Sequence, residues 1–232
     1  VQFFSWFALF IMWVYNMPAI AQHIWGIDAK WFDPTYLETV GTIPEHIAKA
    51  KGTAGDWVGI IFAAYSLFAA IASIFMAKVA NKIGRKLTYS LSLLAGGLGY
   101  LSIMLVHNPE LTLVNLGITQ ISVPQGAVSL FLPMIGVGMA WAAILAMPYA
   151  ILAGSLPVKQ TGVYMGIFNF TIAAPQIISG IFAGWILTAI FDNQAIYIIM
   201  LAGISMMLGA IAVYFVKEDT EQAIGTEKAM SV

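Results

Sequence analysis

Six apolar stretches divide the chain: Phe3–Trp25, Trp57–Val79, Leu87–Val106, Ala127–Ala153, Val163–Ile190 and Ala195–Val216. A helix needs about 20 apolar residues to cross the hydrocarbon core of a bilayer. Runs without strict alternation read as helices rather than barrel strands. The pattern therefore predicts an all-α polytopic membrane protein with six transmembrane helices. None of the six stretches contains an acidic residue. The one lysine or arginine within them, Lys78, stands at the end of the second, where it can snorkel to the interface.

The polar positions between these stretches predict the connections. Gly26–Asp56 is long, carries Pro34 and Pro44, and is expected to hold a short surface helix around Pro44–Lys51. Thr53 and Asp56 have the spacing of a capping box at the start of the second span. Ala80–Lys86 and Gly154–Gly162 are short, and Phe191–Gln194 is a tight turn. His107–Gly126 is nearly uncharged, and Leu111–Val123 within it is rich in β-branched residues, which suits a small extended segment. Residues 217–232 form a polar tail. The chain opens on Val1-Gln2-Phe3-Phe4, already inside a span and with no initiator Met, so the natural protein is expected to start upstream.

Charge orients the stack. One side holds Lys78, Lys82, Arg85, Lys86, Lys159, Lys217 and Lys228 on short segments; the other holds Lys30, Lys49 and Lys51 in one long loop. The positive-inside rule then places both chain ends in the cytoplasm, for a multi-pass protein of the cell (inner or plasma) membrane. Trp25, Trp31, Trp57 and Trp185 fall at the outer interface, as an aromatic belt.

Composition narrows the function. The chain is 60% hydrophobic and 9% charged, against roughly 25% charged for a soluble domain. With a net charge of -1 it has no basic stripe for nucleic acid. Cysteine is absent, and His23, His46 and His107 make no metal-ligand pattern. No nucleophile–base pair stands out, so neither an enzyme nor a cofactor is expected.

Function inside the spans then rests on uncharged groups. In the fifth span Gly162, Gly166, Asn169, Ala173, Gln176, Gly180 and Ala183 follow steps of four and three and share one face. Its amides, Asn169 and Gln176, suit either a neutral, hydroxyl-rich ligand or a helix–helix contact. Pro175 frees the carbonyl of Thr171 and reads as a gating hinge or a plain kink. In the first span Tyr15 and Gln22, and Asn16 and His23, are seven apart and form a polar edge near Pro18. Trp141, amid Gly136, Gly138, Ala140, Ala142, Ala143 and Ala146, offers an apolar face to a sugar ring or packs on another helix. Tyr65 and Ser66 begin a small face continued by Ala70, Ser73 and Ala77.

Two stretches carry a family resemblance. Ala77-Lys78-Val79-Ala80-Asn81-Lys82-Ile83-Gly84-Arg85-Lys86 resembles the cytoplasmic signature of the major facilitator superfamily, Gly-x-x-x-Asp-Arg-x-Gly-Arg-Arg. Gly84, Arg85 and Lys86 match; Asn81 replaces the Asp and Ala77 the first Gly, as in the degenerate second copy of the motif. Pro148-Tyr149-Ala150-Ile151-Leu152, followed by Gly162 through Gln176, is similar to the tenth and eleventh helices of proton-coupled sucrose and maltose transporters. There the pattern is roughly Gly-x-x-x-Gly-x-x-Asn-x-x-Ile-x-x-Pro-Gln.

The resemblance implies the C-terminal six-helix half, residues 1–216, of an alternating-access transporter. It implies a sugar substrate, coupling to protons and an N-terminal half as partner within the bilayer. The substrate-binding candidates are Tyr15, Asn16, Tyr65, Trp141, Asn169 and Gln176. The gating candidates are Asn81, Gly84, Arg85, Lys86 and Pro175. A transporter of another small solute is the alternative, and a six-helix channel ranks behind it.

Overall fold

The computed structural model describes residues 1–153 and 161–217. The Gly154–Gly162 connection, with Lys159, and the 217–232 tail fall mostly outside these residues. Among these residues eight α-helices and one hairpin follow in chain order, besides short 3-10 turns: α1 Gln2–His23, α2 Pro34–Val40, α3 Glu45–Ile83, α4 Arg85–Ser102, β1 Leu111–Asn115, β2 Gln120–Pro124, α5 Gln125–Ser129, α6 Phe131–Ala153, α7 Thr161–Ala189 and α8 Ala195–Ala212. Among the described residues six segments are long and apolar enough to cross a membrane: Gln2–His23, Glu45–Ile83, Arg85–Leu105, Gln125–Leu152, Gly162–Ala189 and Ala195–Phe215.

The second span departs from expectation. The surface helix expected around Pro44–Lys51 is the opening of α3, which runs unbroken for 39 residues from its N-cap Pro44. Nothing between Glu45 and Trp57 breaks a helix; Gly52 and Gly55 only weaken it. Thr53 and Asp56 therefore sit inside the helix, and the Thr53 hydroxyl donates to the Lys49 carbonyl instead of capping a terminus. At 1.5 Å per residue α3 is about 58 Å long, well beyond the roughly 30 Å hydrocarbon core. Its overhanging end is fastened down. Lys51 Nζ donates to the Trp31 carbonyl at 2.7 Å and lies 4.4 Å from the centre of the Phe32 ring.

Gly84 separates α3 from α4 with φ +91°, a conformation side chains resist. The expected extended segment is an antiparallel hairpin, with Leu111 opposite Pro124 and Asn115 opposite Gln120. The tight turn before α8 uses left-handed Asp192 and Asn193. Gln22 holds that turn, donating to the Asn193 carbonyl at 3.1 Å and accepting from the Ala195 N–H at 2.8 Å. This member of the polar edge is thus a structural clamp. Trp57 also departs from the aromatic-belt reading. It is wholly buried, and its indole donates to the Ala127 carbonyl at 2.8 Å.

Packing follows an internal two-fold pattern. α1 lies along α8 as α6 lies along α4, α7 leans on α1 as α3 leans on α6, and α4 meets α8 between the two sets. The triplets α1-α3-α4 and α6-α7-α8 thus make corresponding contacts, the layout of a repeated three-helix unit. Close approach at the centre depends on glycine. A Cβ on Gly97 would stand 2.6 Å from Met207 Cγ and 2.9 Å from the Gly203 carbonyl. One on Gly99 would stand 2.7 Å from the Pro133 carbonyl. Small residues let helix backbones approach in this way, so that dispersion contacts replace the missing hydrophobic drive.

Candidate functional site

The candidate residues form three groups. The first is an aromatic cluster on α1, α3 and α6. Trp141 meets Trp6 and Trp13 edge-on, with ring centroids 5.9 and 5.6 Å apart, and Trp6 and Trp13 are 6.4 Å apart. The Trp13 indole donates to the Tyr65 hydroxyl at 3.2 Å. Trp13 thereby joins Tyr65 and Trp141, two residues singled out from sequence on different helices. α3 can come this close to α6 because position 138 is glycine, where a Cβ would stand 2.7 Å from the Tyr65 carbonyl. Trp6 and Trp13 were not singled out in the sequence; their signal was the seven-residue spacing on one face of the first span. The indole N–H of Trp6 is buried without a partner.

Asn16 lies one turn beyond Trp13. It is 0% exposed, and among the described residues neither its amide nitrogen nor its carbonyl oxygen has a hydrogen-bond partner. A buried amide of this kind is costly unless something satisfies it. Tyr15 is half-buried against the core beside α7, where a Cβ on Gly184 would stand 3.6 Å from its hydroxyl.

The second group is on α7. Gly162, Gly166, Asn169, Ala173 and Gly180 are exposed and Gln176 is half-exposed, while Ala183 and Pro175 are buried. The stripe therefore faces outward over most of its length; near α1, Gly180 lies beside Phe10, and Gly184, just off the stripe, beside Tyr15. Among the described residues Asn169 and Gln176 find no side-chain hydrogen-bond partner. At the kink, Ser179 Oγ donates to the Pro175 carbonyl at 2.7 Å.

α3, the counterpart of α7 in the two-fold pattern, carries a similar stripe. Gly59, Ala63, Ser66, Ala70, Ser73, Ala77 and Asn81 follow steps of four and three, and all are exposed. The part from Ser66 to Ala77 was legible from sequence. Tyr65 is not on this face; it is buried in the aromatic cluster.

The third group is the basic turn after α3. Arg85 Nη1 donates to the Ala150 carbonyl at 3.0 Å, in the last turn of α6. Lys86 Nζ donates to the carbonyls of Tyr214 and Val216, just past α8. Both cations thus satisfy carbonyls at the negative ends of helix dipoles. Gly84 supplies the sharp turn that aims them. Asn81 lines a cleft of about 320 Å³ with Ala77, Arg85, Met147 and Ala150.

Among the described residues no group of three or more His, Cys, Asp or Glu could hold a metal. The aromatic and amide groups are neutral. They can stack on apolar ring faces and exchange uncharged hydrogen bonds. No curated protein and no solved structure matches the chain. The family model described as Major Facilitator Superfamily matches residues 1–230. With six apolar membrane-length helices and this match over nearly its whole length, the chain belongs to the major facilitator superfamily of membrane transporters.

Proposed function

We propose that this chain is the C-terminal half of a sugar transporter that carries a neutral disaccharide or related glycoside in symport with protons. One observation carries this reading. α3 and α7, counterparts in the two-fold pattern, each turn an uncharged small-residue stripe outward, and that of α7 bears Asn169 and Gln176. Bare amides in lipid are expensive. A second six-helix half covering these stripes, with a watery cavity between the halves, removes that cost.

The half-buried indoles of Trp13 and Trp141, backed by the buried Tyr65, and the amides on α7 are then the groups a substrate could reach, a combination suited to polyhydroxylated rings. The similarity of Pro148–Leu152 and Gly162–Gln176 to glycoside symporters supports the sugar class. The membrane-embedded stretches carry no carboxylate, so the proton site belongs to the N-terminal half. Arg85 and Lys86, tied to the ends of α6 and α8, hold one conformation of the cytoplasmic side. Pro175 lets α7 bend.

Uptake of labelled glycosides by the full-length protein in proteoliposomes tests the reading. We expect uptake that rises with an inward proton gradient. Uptake indifferent to the gradient removes the coupling, and uptake of some other solute with no glycoside among the substrates removes the sugar class. Asn169→Ala and Gln176→Ala should each lower uptake at unchanged expression; normal uptake in both would leave the two amides a packing role.

A further inference from the structure

On the side of α3 away from its small-residue stripe, an apolar groove of about 380 Å³ lies open between α3, α4 and α6. Phe68, Phe75 and Val79 of α3, Leu91 of α4 and Met139 of α6 line it. Two lining residues are polar, Thr88 and Ser92. Their hydroxyls are spent on the Gly84 and Thr88 carbonyls, each at 2.8 Å. The groove therefore presents hydrocarbon and no free donor, which suits an acyl chain and not a sugar. From Phe68 to Ile83 it extends about 22 Å along α3, somewhat more than one leaflet's share of the hydrocarbon core.

Cations flank its lining near the Gly84 end. Ile71, Phe75, Lys78 and Lys82 follow steps of four, three and four and share one face of α3. Both lysines are exposed. Among the described residues the one ion pair is Lys30–Asp28, and no acidic residue occurs from Trp57 to Pro109. Arg85 and Lys86 next to them are already engaged with backbone carbonyls. Among the described residues Lys78 and Lys82 have no ion-pair partner, and they stand beside one end of an elongated apolar slot.

We infer that the groove holds one acyl chain of an anionic phospholipid from the leaflet bordering the α3–α4 turn, its phosphate resting on Lys78 and Lys82. The apolar wall sets where the chain lies, and the lysines select the headgroup. A lysine near a membrane surface favours an anionic lipid by about fivefold.

The test uses the full-length protein in phosphatidylcholine vesicles with trace spin-labelled phosphatidylglycerol or spin-labelled phosphatidylcholine. The protein-restricted fraction of each label is read by electron spin resonance. The wild type should prefer phosphatidylglycerol severalfold. Lys78→Gln/Lys82→Gln should abolish the preference, and Lys78→Arg/Lys82→Arg should keep it. Ala72→Trp, which fills the groove, should lower the restricted fraction of both lipids, whereas Leu98→Trp on an exposed face of α4 should not. Equal restriction of the two labels in the wild type, or a preference surviving in the glutamine pair, overturns the inference. So does displacement of the labelled lipid by inorganic phosphate beyond that caused by sodium chloride of equal ionic strength, which would show a site for the free anion.

Discussion

Asn16 is the residue whose surroundings least explain it. An amide held at 0% exposure with neither end bonded is a net cost to folding, of the order of 1–3 kcal/mol. Leucine has nearly the same outline and no polar atoms. Asn16→Leu should therefore leave the thermal stability of the detergent-solubilised protein unchanged or raise it, while lowering uptake if the amide serves the substrate in another conformation. A fall in melting temperature would show instead that the amide is satisfied at rest. Sequence marked Asn16 as polar within a span but could not show that it faces inward. The same holds for Gln22, whose clamp on the Asn193 turn joins residues 171 apart. Single positions reveal chemistry; partners come only from tertiary contact.

Among elements, apolar length and the basic loop after the second span were enough to read all six membrane helices. The ends were less legible. Pro34 and Pro44 mark real boundaries, yet α3 passes through the polar stretch Glu45–Asp56 because a membrane helix continues into water wherever nothing breaks it. Tolerance to bulk follows the glycines. Gly97→Val would drive its side chain into Met207 and the Gly203 backbone, prising α4 from α8. We expect a loss of roughly 1–3 kcal/mol or more, read as a lower melting temperature and poorer recovery from the membrane. Gly59→Val, on the exposed stripe with nothing within 4 Å of a Cβ, should leave the isolated bundle as stable as before.

For the whole molecule, the stripes of α3 and α7 predict separable effects. Ser66→Leu/Ala70→Leu adds bulk outside the six-helix bundle and should not disturb its folding. On the proposed two-half architecture it should impair transport by the full-length protein and loosen the two halves, seen as faster proteolytic separation. Unaltered transport would mean that this face meets only lipid. The outward position of these stripes was not legible from periodicity, because a face of small residues reads alike whether it packs within the bundle or outside it. The two-fold pairing of triplets was equally hidden, since the contacts that define it join helices distant in sequence.

The length of α3 has a mechanical consequence. Its overhang is strapped to the loop after α1 by Lys51, at the Trp31 carbonyl and the Phe32 ring. α1 and α3 therefore share one rigid head at that end and cannot tilt apart without breaking the strap. If this half rocks by about 10° during transport, a head some 25 Å beyond the bilayer centre sweeps about 4 Å, acting as a pointer that magnifies the motion below it. Spin labels at Ala48 and Asp28 should keep a constant separation through the cycle. A label at Ala48 paired with one on the opposite half should report two distances, and a single unchanging distance would show that the pointer does not move.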